Sequence, residues 1–316
     1  MKSLFYSHAD FLDHDTGPGH PECAARLRAI EQALSTTEFT HLQRVQAPIP
    51  DDVEGKLALI HTPAMINRVL SGIPSHDLTY FDADTVASPG SKSAALRAVG
   101  AICEAVDKIC AGQADTAFCA VRPPGHHAMP GYPMGFCLFN NIAIAAEYAR
   151  RHYQLERIAI VDFDVHHGNG TQAAFYEQPQ VLYASSHQWP HYPGSGHPLE
   201  NGVGNIVNVP LPAGTDGDVF RAKYADIILP AVRKFRPQLI LISAGFDAHK
   251  DDPLASLRLV EDDYRWVTEQ LLEIALDCCE GHIISTLEGG YNLKALAASV
   301  AAHIGVLAGL QLANEQ

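Results

Sequence analysis

Short runs of apolar residues alternate along this chain with stretches whose apolar positions recur every three to four residues. The first pattern is that of strands buried on both faces, the second that of helices with one buried side. Strands are predicted near 2–7, 116–121, 158–164, 180–186, 206–209, 238–243 and 282–287. Helices are predicted near 21–34, 62–71, 91–111, 139–151, 216–235, 261–279 and 293–310. In 91–111 the residues Ala95, Leu96, Val99, Ile102, Cys103, Val106 and Ile109 form one stripe. Strand–helix alternation of this kind predicts an α/β fold, a mostly parallel central sheet of about eight strands with helices on both faces. No repeat, low-complexity tract or linker interrupts it, so residues 1–316 read as a single catalytic domain. Two irregular stretches, 73–90 and 187–205, are long for connections in such a fold. Their aromatics Tyr80, Phe81, Trp189 and Tyr192 suit ordered loops that line something.

In open parallel sheets, ligands bind beyond the carboxyl ends of the strands. Five predicted strands end in polar groups: Arg122-Pro123-Pro124-Gly125-His126-His127, Asp164-Val165-His166-His167, Ser185-Ser186-His187, Ser243-Ala244-Gly245-Phe246-Asp247 and Glu288-Gly289-Gly290-Tyr291. Asp162-Phe163-Asp164-Val165-His166-His167-Gly168-Asn169 is the densest. Charges drawn toward a core cost free energy unless paired or metal-bound. Asp164 and His166 are two apart, so extended backbone points them the same way. With Asp247 they make a three-donor set that leaves a divalent metal an open position, the mark of a catalytic site. The plainer alternatives are an Asp–His hydrogen bond and, for Asp247, a helix N-cap. His126 and His127 are either loop surface or acid–base groups beside that metal. Asp162 and Asn169 could orient them, and a charged and a neutral partner would separate their basicities. Tyr291, after two glycines, is either a packed phenol or a donor to an oxyanion. His8, His41, His76, His152, His282 and His303 fit no pattern and read as surface or satisfied core residues.

Composition narrows the partners. Of 316 residues 47% are hydrophobic, and 22 Lys and Arg against 36 Asp and Glu leave a net charge of −14. Such a surface repels phosphate backbones, so nucleic acid is not expected, and it favours cationic ligands. No apolar run reaches the roughly 18 residues of a membrane span, so no membrane is expected. Seven cysteines without a C-x-x-C pair suit small buried hydrophobes in a reducing setting. Met1–His8 holds no apolar core of signal length, and the cytoplasm is the expected location. Self-association is left open.

Taken together, these motifs resemble the zinc-dependent histone deacetylase family, in the arginase/deacetylase fold. The resemblance runs from Gly17-Pro18-Gly19-His20-Pro21-Glu22 to Glu288-Gly289-Gly290-Tyr291-Asn292-Leu293. Asn169, where class I members carry Asp, is similar to the class II branch and its bacterial relatives. The resemblance implies Asp164, His166 and Asp247 as Zn²⁺ ligands. It implies His126 and His127 as the tandem pair, backed by Asp162 and Asn169, with His127 the main proton shuttle and His126 mostly electrostatic. Tyr291 would grip the substrate carbonyl. Gly135 and Phe136 would form one wall of an acyl-lysine channel, Tyr192 the opposite wall and Leu254 its rim. A K⁺ ion is implied at Asp162, Ser185 and the carbonyls of Asp164, His166 and Ser186, with a second at carbonyls near Phe175, Gln178 and Val181. The implied reaction is hydrolysis of the acyl amide of acyl-lysine in proteins or peptides.

Three rivals stand beside this reading. An arginase-like two-metal enzyme would need carboxylates where this chain has Gly168 and His249. An acetylpolyamine amidohydrolase would suit the negative charge, although Leu254 stands where a polyamine-selective relative has Glu. A catalytically dead acyl-lysine reader would not need the full set of polar groups present here.

Overall fold

The computed structural model describes residues 1–310. Its strands are β1 (Ser3–Ser7), β2 (Gln43–Gln46), β3 (Thr79–Tyr80), β4 (Val86–Ala87), β5 (Thr116–Cys119), β6 (Ile158–Asp162), β7 (Val181–Gln188), β8 (Ile206–Leu211), β9 (Leu239–Ala244) and β10 (Ile283–Leu287). Its helices are α1 (Ala25–Ala33), α2 (Val53–Leu57), α3 (Pro63–Gly72), α4 (Ser91–Cys110), α5 (Asn141–Tyr153), α6 (Asn169–Phe175), α7 (Gly217–Lys223), α8 (Leu229–Phe235), α9 (Glu261–Cys279) and α10 (Leu293–Leu307).

Eight strands form one sheet in the order β2-β1-β5-β10-β9-β6-β7-β8, and every pairing in it is parallel. Parallel ladders need crossovers, and the helices between strands supply them and cover the sheet. Helices α1, α9 and α10 pack on one another as one layer, and α4 and α5 as another. Strands β5, β6, β7, β9 and β10 are buried along their whole length, which accounts for their unbroken apolar runs.

Several features depart from the predicted pattern, the short helices α2 and α6 among them. Strand β2 was not expected, because Gln43-Arg44-Val45-Gln46 has one apolar residue and lies exposed on the sheet edge. Stretch 73–90 contains a small antiparallel pair, β3 with β4. The predicted helix 216–235 is broken into α7 and α8 by a π-helical segment, Tyr224–Ile228. Pro230, in the first turn of α8, lacks the N–H that a continuous α-helix would use there.

Because all eight strands run the same way, their carboxyl ends share one edge. Strands β6, β9 and β10 are adjacent in the middle of the sheet, with Asp162 in register with Ser243 on β9 and with Ser185 on β7. The polar strand endings therefore meet at the centre of that edge.

Candidate active site

Beyond Asp162, the chain turns through Asp164 and His166 before α6 begins. Asp247 lies past the end of β9. Both aspartates are buried, and His166 is nearly so. His166 Nδ1 lies 3.1 Å from Asp164 Oδ1 and 3.1 Å from Asp247 Oδ2. The other carboxylate oxygens are tied back by backbone donors: Gly289 N–H to Asp164 Oδ2 at 2.8 Å and Val165 N–H to Asp247 Oδ1 at 2.9 Å. A Cβ on Gly289 would lie 2.0 Å from Asp247 Oδ2, so only glycine lets the β10 turn approach this closely.

One donor atom from each of Asp164, His166 and Asp247 falls within 4.8 Å of the other two, and no other such group occurs among the described residues. Their electrostatics call for a cation. Burial opposes ionisation of Asp164, but His126 and His166 outweigh it and hold its carboxyl well below the usual range. Burial and the charge of Asp164 push Asp247 up. Burial opposes a charge on His166, yet hydrogen bonds and charge from Asp164 and Asp247 lift it to about 10. Two carboxylates thus compete for a single positive charge. Two oxygens from buried aspartates and one nitrogen from the nearly buried His166 fit a divalent ion such as Zn²⁺.

His126 and His127 lie beside this cluster, ring centroids 4.0 Å apart. His126 donates Nδ1–H to Asp162 Oδ2 at 3.0 Å, and His127 donates Nδ1–H to Asn169 Oδ1 at 2.8 Å. The expected separation of basicities is present. Burial works against a charge on His126, but Asp162, Asp164 and Glu288 raise it to about 10. Burial, reinforced by His126 and His166, drives His127 well below the usual imidazole value. The two shifts thus favour charge on His126 and a neutral ring on His127.

A cavity of about 280 Å³ opens above these groups. Its lining includes Gly135, Phe136, Tyr192, Leu254 and Tyr291. Phe136, at φ +67°, presents its ring edge-on to Tyr291 at 5.9 Å, and Tyr192 stands 5.2 Å from His127 at 81°. Burial and the charge of Asp247 push Tyr291 well above the usual phenol value, so its hydroxyl remains a donor. The same lining includes residues that sequence reasoning did not single out. Asp84 borders the mouth, and His191 stacks on His166 at 5.1 Å while donating Nε2–H to the Leu254 carbonyl. Glu288 accepts N–H from Gly125 and His126, fixing the turn that carries the tandem histidines. It stood in a polar strand ending, the only signal available; His191 lay beside Tyr192 in a loop without a pattern.

The expected K⁺ donors divide. Asp162 and Ser185 face each other across β6 and β7, both wholly buried. Asp162 also accepts from the Tyr183 hydroxyl at 3.0 Å, and Ser186 turns its hydroxyl to Tyr224. Ser185 Oγ meets His187 Nδ1 at 3.0 Å. The second group does converge, but on a side chain: Asn205 Nδ2 donates to the carbonyls of Phe175, Gln178 and Val181 at 2.8, 3.0 and 2.9 Å. That amide sits where a cation bridging the three carbonyls would have to sit. A second metal of the arginase kind also has no place. A Cβ on Gly168 would lie 2.4 Å from Asp162 Oδ2, and His249 Nδ1 accepts from the Asp251 backbone instead of meeting the cluster.

The histone deacetylase domain family matches residues 20–307. A rice protein (Oryza sativa subsp. japonica) named histone deacetylase 10, chloroplastic, is 39% identical over 94% of this chain and 71% of its own. A histone deacetylase-like amidohydrolase of Pseudomonas aeruginosa is 38% identical over 87% of this chain and 73% of its own. The crystal structure of the HDA15 HD domain superposes with a TM-score of 0.92 at 34% identity, covering 98% of this chain and 89% of that one. Sequence and fold agree along nearly the whole chain, and this protein belongs to the histone deacetylase family, as a hydrolase of the generally zinc-dependent deacetylase and amidohydrolase kind.

Proposed function

We propose that this chain, acting as one catalytic domain, removes acetyl or other acyl groups from the side-chain amine of acyl-lysine in proteins or peptides. The observation that carries the reading is the pairing of His126 with Asp162 and of His127 with Asn169 directly beside the Asp164–His166–Asp247 cluster, at an aromatic-walled cavity. Asp164, His166 and Asp247 would hold Zn²⁺, and Asp162, Ser185 and the carbonyls of Asp164, His166 and Ser186 a structural K⁺. When bound, Zn²⁺ polarises the acyl carbonyl and lowers the pKa of water to about 7.

The residues of the chain supply the rest. His127 Nε2 takes a proton from the attacking water, and Asn169 holds its ring through Nδ1. His126, kept charged by Asp162, stabilises negative charge as it develops. The Tyr291 hydroxyl donates to the oxyanion that forms from the carbonyl. His127 then returns the proton from Nε2 to the departing amine. Phe136 and Tyr192 flank the acyl-lysine stem and keep bulk water from the reacting carbonyl. The seven free cysteines support a reducing, cytoplasmic setting, and no helix among the described residues is long and apolar enough to cross a membrane.

The second reading is an acetylpolyamine amidohydrolase, favoured by the net charge of −14 and by Asp84 at the mouth. Leu254 in the lining weighs for acyl-lysine, because an apolar rim offers no partner to a second ammonium group. Acetate release from acetyl-lysine peptides, longer acyl-lysines and acetylpolyamines is the deciding experiment. Peptide acyl-lysine is expected to show the highest kcat/KM; a clear preference for acetylpolyamines would replace this reading with the second.

A further inference from the structure

Asp252 is a buried carboxylate five residues beyond Asp247; it is no member of the metal cluster and does not itself line the cavity. Its oxygens are fully engaged by backbone donors. Oδ2 accepts from Tyr291 N–H at 2.7 Å and from Asn292 N–H at 3.3 Å. Oδ1 accepts from Leu254 N–H at 3.0 Å. One carboxylate therefore holds two segments that are 37 residues apart in sequence, each of which contributes a side chain to the cavity.

The segment around Tyr291 needs such a hold. Gly290 has φ +119°, a backbone conformation with little intrinsic preference for one arrangement. The Tyr291 side chain has no hydrogen-bonded partner to fix it; its ring is met edge-on by Phe136 and faced by the Arg26 guanidinium at 5.0 Å. Its direction therefore follows from its backbone. Arg26 grips that backbone by the carbonyls of Glu288 and Gly290, and Asp252 grips it by the N–H groups of Tyr291 and Asn292. The Leu254 carbonyl in turn accepts from His191, which stacks on His166.

We propose that Asp252 is a positioning residue that sets the Tyr291 hydroxyl for the reaction and couples it to the Leu254 rim. The proposal rests on the reading of Tyr291 as oxyanion donor given above. A side chain held by three N–H donors in two segments transmits small displacements from one to the other. A loosened Tyr291 would reach the oxyanion position less often, which lowers kcat more than it alters KM.

The test is a double-mutant cycle on the Zn²⁺-loaded full chain, with kcat, KM and bound zinc measured on an acetyl-lysine peptide. Asp252→Asn places an N–H₂ or a single oxygen against three donors. Asp252→Glu keeps charge and burial but moves the carboxylate by a methylene, and it serves should the Asn variant fold poorly. Each is expected to lower kcat at least tenfold with KM changed less than threefold and zinc content unchanged. In a Tyr291→Phe background the additional loss is expected to fall below threefold, because the group being positioned is gone. An equal loss in both backgrounds overturns the proposal alone, as does full activity in both Asp252 variants. Near-wild-type turnover of Tyr291→Phe by itself overturns the donor reading and the proposal with it.

Discussion

His127 donates its Nδ1–H to Asn169 across 2.8 Å, while His126, its neighbour in sequence, donates to the carboxylate of Asp162. Burial and the charges of His126 and His166 keep His127 a weak base, because a neutral acceptor offsets them little, whereas the charged Asp162 helps raise His126. Asn169→Asp is expected to raise the basicity of His127. Because the working base must be neutral at Nε2, the acid limb of kcat/KM moves to higher pH in that variant. A pH–rate profile of the zinc-loaded enzyme checks this, and an unmoved limb would remove Asn169 from the assignment.

Tyr291→Phe removes one donor from the floor of the cavity and leaves the metal ligands intact. Loss of such a donor costs about 10²–10³ in kcat. The expected result is that loss together with unchanged zinc content by elemental analysis.

Stripping the metal tests the donor cluster directly. A chelator is expected to abolish acetate release, and added Zn²⁺ to restore it. Binding at 100 times Kd stabilises a fold by about 2.7 kcal/mol, so the melting temperature should rise on reloading. Asp247→Asn should lose both responses. Full activity of the chelated protein would be incompatible with the cluster as a catalytic centre.

Much of this centre was legible in the sequence, and the reason is geometric. Asp162, Asp164 and His166 alternate at the end of an apolar strand, so spacing alone assigns them a direction. Asp247 and Tyr291 follow neighbouring strands, so their meeting follows from a parallel sheet. His191, Asp84 and Asp252 were not legible, because each acts from a loop whose path depends on tertiary contacts. Asp252 in particular works through backbone N–H groups, which carry no sequence signature. The same limit hid β2, whose pairing is made by main-chain bonds on an edge that need not be apolar.

The buried His303 gives the fold a defined acid sensitivity. Its ring bonds the hydroxyls of Thr268 and Ser285 at 2.7 and 2.8 Å, and burial drives its pKa down to about 3. Between about 6.5, the ordinary value, and about 3 the unfolded chain binds a proton that the folded chain does not. Stability therefore falls as pH is lowered through that window, by about 1.4 kcal/mol per pH unit for this residue at full slope. His303→Gln should flatten the pH dependence between pH 6 and 4 by that amount, as read from urea unfolding; parallel curves for the two proteins would contradict it.

Asn205 predicts a cation count. With its amide on three carbonyls, the wild-type chain should retain a single tightly bound K⁺ after dialysis. Asn205→Ala removes the donor that the three carbonyls share, although Gln178 and Val181 N–H still reach those of Phe175 and Gln178, at about 1–3 kcal/mol in K⁺-free buffer. Added KCl should restore the melting temperature of that variant and leave the wild type nearly unchanged. Two K⁺ per wild-type chain would show that the amide yields its place.

The parallel order β10-β9-β6 has a further effect on how this protein ages and breathes. The groups that perform the chemistry hang from the ends of these three strands and of β5 beside them, whose amides should exchange only through near-global opening. Tyr192, Leu254 and Asp84, which contact whatever enters, ride on surface connections that open at far lower free energy. Warming or mild denaturant is therefore expected to loosen the cavity walls before the strand ends that carry the metal-ligand cluster.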